Sequence, residues 1–294
     1  MRVCGVLKIA AVLFVDFTLL YLGLGVIAAA VITGGIFLYG WGGEYIAVLQ
    51  KKRIPWDQLS EEEQNKITRV KESLEENVRR VSNRNISDLR VQVVSSDRVS
   101  AYAYGRHYVA VTQPLLDSCD EETICAVLGH EIYHVFCLDP VFRKIILANI
   151  TVFISGLIIA GLYASLGLWI LLAVICFLCF LVNVKLSWIF WAACRLISFT
   201  ISMSRILIQF IYQIVMGPAG YKCEFRADRY SCRLGYGARL ADYLVRFAEG
   251  HEREKGSFYG IMYAYHPSVC LRLQKLGLQR PALAQGMVSD ENGN

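Results

Sequence analysis

Charge is scarce in this chain. Of its 294 residues only 19% are Asp, Glu, Lys or Arg, while 55% are hydrophobic and the mean hydropathy is +0.41. An ordinary soluble domain is nearer ~45–50% apolar, so the composition points to a membrane protein with the bilayer as its partner. Proline is also rare, with 6 residues, and the 23 glycines show no triplet period, which excludes collagen and a Pro/Gly-rich disordered chain. The formal net charge is +5, yet no stripe of Lys and Arg interleaved with aromatics lies outside the membrane flanks, so nucleic acid is not indicated as a partner. The 10 cysteines are many, but Cys4, Cys176, Cys179 and Cys194 sit in or beside apolar runs and the others show no framework spacing. They read as reduced thiols acting as small apolar side chains, which suits a reducing compartment.

Residues 9–49 are almost wholly apolar, broken by Asp16 and Glu44, with Arg2 and Lys8 on one flank and Lys51, Lys52 and Arg53 on the other. A single helix of that length would run roughly 60 Å at about 1.5 Å per residue, about twice the hydrocarbon thickness. A hairpin turning at 23–25 fits, and it leaves both basic ends on the cytoplasmic side. The competing reading is a cleaved signal peptide with Ala28, Ala29 and Ala30 as its small-residue site, but the apolar run continues well past that point. Residues 145–184 carry no charge and are again too long for one crossing. A second hairpin turning within 161–167 is expected, with Arg143, Lys144 and Lys185 at its cytoplasmic ends. Residues 186–216 are interrupted by Arg195 and Arg205 and read as an amphipathic helix in the interface.

The polar stretches have local signals of their own. Residues 56–84 have a charged helical pattern, opened by Ser60 and Glu63 as a capping box. Residues 89–94, 100–104 and 108–112 are short, rich in Val and Tyr, and read as a small sheet. After Tyr221 come helical patterns broken at Gly235 to Gly237 and around 256–260, followed by a tail expected to be flexible. The expected organisation is a transmembrane hairpin (1–53), a cytoplasmic helix, sheet and HExxH helix (54–144), a second hairpin (145–184), an interfacial helix (185–218), a second half of the soluble domain (219–281) and a tail (282–294). The fold class is mainly α with a small β-sheet and two transmembrane helical hairpins.

The chemistry concentrates at His130, Glu131 and His134, an H-E-x-x-H in a helical pattern. Four residues make about one turn, so both imidazoles project from one face and can bind one Zn²⁺, while Glu131 can serve as the base. The chain has five histidines, and two at this spacing around a Glu argue against a surface turn with satisfied side chains. A catalytic zinc needs a third protein ligand. Glu224 is the candidate, with Asp228 four residues on, on the same helical face, to orient a ligand histidine; the competing reading is a solvated acidic pair beside Arg226 and Arg229. Cys137 is a rival ligand, but three ligands from one straight helix can hardly spread around a tetrahedron.

The order of these features resembles the HtpX-like membrane zinc metallopeptidases, in the wider family that includes the CAAX prenyl proteases and the Oma-type proteases. The resemblance runs from about Ser100 to Leu276. It rests on Ala101, Tyr102 and Ala103, on 109–112 with Leu115 and Leu116, on HEIYH with Asp139 beyond it, on EFRAD at 224–228, and on His266, Pro267 and Arg272. Two positions depart from the family: Ser100 stands where Asn is usual, which puts a substrate contact in doubt, and Tyr133 stands where Gly or Ser is usual, narrowing the site or filling space against the sheet.

The resemblance implies a zincin-like, membrane-bound endopeptidase with one zinc per chain, acting on misfolded or membrane polypeptides in quality control and the stress response. It implies catalytic roles for Glu131, His266 and Arg272, the latter two lining the site and holding the oxyanion or substrate. Substrate would extend along the strand at Ser100, Ala101, Tyr102 and Ala103. A bacterial inner membrane with the catalytic domain facing the cytoplasm is expected. If His130, His134 and Glu224 hold one ion, the chain between them must cross the bilayer an even number of times. The alternatives are a CAAX-type prenyl-protein protease, an intramembrane site-two-type protease, which the acidic residues Asp117, Asp120, Glu121 and Glu122 before the motif disfavour, and a zinc-stabilised adaptor that binds without cutting.

Overall fold

The structure is a computed structural model describing residues 2–50, 53–164, 187–248 and 267–277, with positions 170, 174, 177 and 178 besides. The chain divides into two compact units, Met1–Ile145 with Met216–Asn294, and Ile146–Val215. The described residues of the second are parts of two long helices, with positions 170, 174, 177 and 178 besides. Everything that builds the site lies in the first.

Helices α1 (Arg2–Leu24) and α2 (Val26–Gln50) meet at Gly25, whose φ of +84° is accessible to glycine at little cost. They fold back on each other as the hairpin expected at 23–25. Gly5 near the start of α1 abuts the backbone of Cys137, where a Cβ would fall 2.3 Å from the carbonyl oxygen, and Gly40 near the end of α2 abuts Ile145. Among the described residues, three helical stretches are long and apolar enough to cross a membrane: Cys4–Leu24, Val26–Tyr45 and Asp139–Gly161.

Helix α3 (Glu61–Ser82) starts on the capping box that its sequence announces: Ser60 Oγ accepts from Glu63 N and the Glu63 carboxylate accepts from Ser60 N. Its buried residues Ile67, Val70, Leu74 and Val78 recur at helical spacing and form one wall of the core. Strands β1 (Arg90–Val94), β2 (Ala101–Ala103) and β3 (Tyr108–Thr112) form a sheet of order β1-β3-β2. β1 runs parallel to β3, and β2 runs antiparallel to it with Ala101 opposite Val111 and Ala103 opposite Val109. β3 is buried along its whole length, and β2 is an edge.

A short helix α4 (Gln113–Ser118) leads to α5 (Glu121–Cys137), which is capped by Asp120 accepting from Thr123 N at 3.0 Å and is buried over nearly its whole length. α5 ends at Leu138, a non-glycine residue in the left-handed region (φ +57°), and α6 (Asp139–Ala164) begins at once. The second expected hairpin lies partly outside the described residues: α6 contains its first arm, and most of 165–186 is not described.

Helix α7 (Ser187–Ser231) runs without interruption through the boundary that the sequence suggests at 218/219, with Pro218 inside it, and carries the chain directly into the Glu224 segment. The break comes instead at Gly235 (φ +98°) in a π-helical turn Cys232–Tyr236, before α8 (Gly237–Tyr243). Pro218 removes one backbone donor, which a long helix can absorb, whereas Gly235 in the left-handed region reverses the helical twist. α9 (Val269–Leu276) is capped by Ser268 and buries Val269, Arg272 and Leu273.

Candidate metal centre

The H-E-x-x-H lies in the middle of α5, and the EFRAD segment lies near the end of α7. Gly129 of α5 faces the end of α7 and the turn after it: a Cβ there would fall 2.9 Å from Leu234 Cδ1 and 3.8 Å from Ser231 Cα. Next to it Ser231 Oγ donates to the Ala126 carbonyl at 2.7 Å. This contact brings Glu224 and Asp228, one helical turn apart, against the two histidines.

His130 Nε2 and His134 Nε2 are 3.3 Å apart. Glu224 offers one carboxylate oxygen 3.3 Å from the first and the other 3.5 Å from the second. Four bonds of ~2.0–2.1 Å to a tetrahedral zinc ion would set neighbouring ligand atoms about 3.3–3.4 Å apart, so the spacing fits such an ion. The chemistry of the donors fits as well. His130 Nδ1 lies 2.8 Å from Asp228 Oδ1, and His134 Nδ1 lies 2.9 Å from Asp139 Oδ2. With each Nδ1–H directed to a carboxylate, both Nε2 atoms present lone pairs toward Glu224. Three buried acceptors converging on one point call for a cation.

The electrostatics say the same. Burial pulls the His130 imidazole down, but Asp228 and Glu224 outweigh it and push it up to about 10; without an ion, a proton takes the cation's part. Burial pushes the Asp228 carboxyl up, but hydrogen bonds from Arg272 and His130 and their charges hold it down at about 2. Cys137, the rival ligand, stands outside the converging group among the described residues, and burial pushes its thiol up.

Glu131 does not join the three ligand atoms. Its Oε1 is 4.0 Å from His130 Nε2, and its Oε2 accepts the backbone N–H of Ala103 at 2.7 Å. The edge strand therefore touches this carboxylate directly. A cleft of about 200 Å³ is lined by residues 100–103, by Glu131, His134 and Glu224, and by Asp139, Pro140 and Arg143 of α6. Ser100 and the three residues of β2, all named from the sequence, border it together with Glu131, His134 and Glu224.

Other positions differ from expectation. Arg272, expected to line the site and hold the oxyanion or substrate, is nine-tenths buried and grips Asp228, with Nε 2.8 Å from Oδ2 and Nη2 on Oδ1, and its Nη2 lies 3.5 Å from His130 Nδ1. A bidentate pair with a buried carboxylate holds the guanidinium more strongly than an open cleft would. Tyr133 is not among the residues that line this cleft; its ring lies tilted against that of Tyr230 of α7, with centroids 5.8 Å apart, inside the core. His266 lies outside the described residues. Two residues given no role at the metal centre from the sequence belong here. Asp139 reaches His134 only because Leu138 turns the chain back in the left-handed region, which a leucine does not announce. Arg143, read from the sequence as a basic flank of the second hairpin, lines the cleft with Nη2 3.5 Å from Glu224 Oε1.

No curated protein sequence matches the chain. Among solved structures, that described as "Crystal Structure of S. mikatae Ste24p" is similar over 91% of this chain and 62% of that one, at 16% identity and a TM-score of 0.42. The chain thus spans about six-tenths of that protein's length. Residues 63–279, which include the whole cleft and all three converging ligands, match Peptidase family M48. The chain belongs to peptidase family M48, a family of zinc metallopeptidases.

Proposed function

We propose that this chain is an integral membrane zinc endopeptidase that cleaves misfolded or membrane polypeptides. The observation that carries the reading is the convergence of His130, His134 and Glu224, the last two lining one cleft with Glu131 and an edge strand. One zinc ion held by those three side chains would supply Lewis acidity to the scissile carbonyl and to water. The chain's own residues do the rest. Glu131, its carboxylate fixed at one oxygen by Ala103 N–H, takes the proton from the attacking water through the other oxygen and returns it to the leaving amine. Asp228 and Asp139 keep His130 and His134 in the tautomer that leaves Nε2 free to ligate. Arg272 holds Asp228 in place for that task.

Substrate would extend along the outer edge of β2, whose three residues Ala101, Tyr102 and Ala103 have small or flat side chains beside the cleft. Pairing through main chain selects an extended, unfolded segment more than a sequence, which suits disposal of damaged proteins. The soluble part would face the cytoplasm of a bacterial inner membrane, with Arg2, Lys8, Lys51, Lys52 and Arg53 on the positive side. His134 and Glu224 on one aqueous face require an even number of crossings between them. The 185–218 segment is then interfacial if 145–184 makes both crossings.

The test is direct. Purified full-length protein loaded with zinc should cleave casein, a chelator should stop it, and added zinc should restore it. Bound zinc without cleavage would return the adaptor reading.

A further inference from the structure

Glu44 is a buried carboxylate of the first hairpin that the mechanism leaves unused. It interrupts an apolar helix, where a hydrophobic side chain would serve the bilayer better, yet its side chain is 1% exposed. Its Oε2 accepts the backbone N–H of Arg106 at 2.7 Å, its Oε1 accepts Arg106 Nη2 at 2.8 Å, and the Arg106 guanidinium lies over the Trp41 ring at 4.2 Å. Gly105 presses on the same carboxylate so closely that a Cβ would fall 2.4 Å from it. Lys144, at the start of α6, donates Nζ to the Tyr104 carbonyl at 3.0 Å, and its stem runs along Gly43.

All of these bonds end on one turn. Tyr104, Gly105 and Arg106 follow directly from β2, whose last residue, Ala103, donates its N–H to Glu131. The membrane hairpin through Glu44 and α6 through Lys144 therefore grip the segment next to the backbone group that orients the base, and at the end of the strand that borders the cleft. Attachment of α2 to the soluble domain by apolar packing alone would not need a buried carboxylate there.

We propose that Glu44 and Lys144 are positioning residues, which through the 104–106 turn hold β2 at the height where an extended substrate pairs with it and where Ala103 meets Glu131. This rests on the endopeptidase reading above. The amino-terminal hairpin is then part of the substrate-binding apparatus as well as an anchor.

The test uses full-length protein in lipid nanodiscs, loaded with zinc and assayed with a fluorogenic casein-derived peptide. Lys144→Met removes the bond to Tyr104 without leaving a buried charge, and Glu44→Gln keeps an acceptor for Arg106 N–H but loses the ion pair. Each should raise KM about tenfold, the factor expected from loss of a substrate backbone hydrogen bond or two, with zinc content unchanged. Lys144→Arg should restore KM. A merely structural role would lower the active fraction, and so kcat, at constant KM. Should Glu44→Gln fail to fold, Lys144→Met decides. Wild-type KM in the folded variants, or zinc lost from Lys144→Met, overturns the inference while wild-type cleavage leaves the endopeptidase reading standing. A zinc-loaded wild type that does not cleave sinks that reading and this inference with it.

Discussion

The backbone N–H of Ala103 donates to the side chain of Glu131 at 2.7 Å, so the edge of the sheet and the acidic residue of the H-E-x-x-H are one mechanical unit. A carboxylate held at one oxygen by main chain presents its other oxygen in a fixed direction, 4.0 Å from His130 Nε2. That is the arrangement a positioned base needs.

Glu131→Gln keeps the size and the acceptor for Ala103 N–H but cannot take a proton. Peptide turnover should fall by about 10²–10⁴-fold or more while bound zinc stays at wild-type level. Metal analysis beside a turnover assay checks both halves, and an active Glu131→Gln enzyme refutes the assigned base.

Glu224→Ala removes one of three ligands, and the protein should be isolated without stoichiometric metal. Asp228→Asn and Asp139→Asn each remove an orienting carboxylate and should weaken zinc binding by about 10–100-fold without abolishing it. Competition with a chromophoric chelator measures this series, and equal affinity in all four proteins would show that the ion is held elsewhere.

Arg272→Ala leaves Asp228 buried without its bidentate partner, and truncating one member of a buried pair costs about 3–5 kcal/mol. The variant should unfold at lower temperature and bind zinc less tightly, because Asp228 loses the group that holds it against His130. Unchanged thermal unfolding with selective loss of kcat would assign Arg272 to the oxyanion after all.

Proton and metal compete at His130. Its imidazole is raised from 6.5 to about 10 in the metal-free protein, so the stability it lends that form is complete below about pH 6.5 and is lost as pH rises through 10. The ion needs the bare Nε2, so zinc affinity should rise about tenfold per pH unit across pH 7–9, with about one proton released per ion. Asp228, held down from 3.8 to about 2, contributes stability that is full above pH 3.8 and is lost as pH falls through 2. Calorimetric zinc titrations in buffers of different ionisation enthalpy count the proton directly, and an affinity independent of pH contradicts the coupling.

Much of this was legible from spacing alone. Period and separation along a helix decide which side chains share a face, so His130 with His134 and Glu224 with Asp228 could be paired from sequence, as could the Ser60 capping box, the turn at Gly25 and the three short strands. What spacing cannot encode is where two faces meet when 89 positions separate His134 from Glu224, or that Arg272 turns to Asp228 rather than to the cleft. Those outcomes depend on the close approach of α5 and α7 at Gly129, on a leucine in the left-handed region that carries Asp139 back to His134, and on a buried Glu44 reaching Arg106. Each is set by the packing of whole helices, in which small displacements summed over many residues decide a contact of a few ångströms, and so only the tertiary structure fixes it.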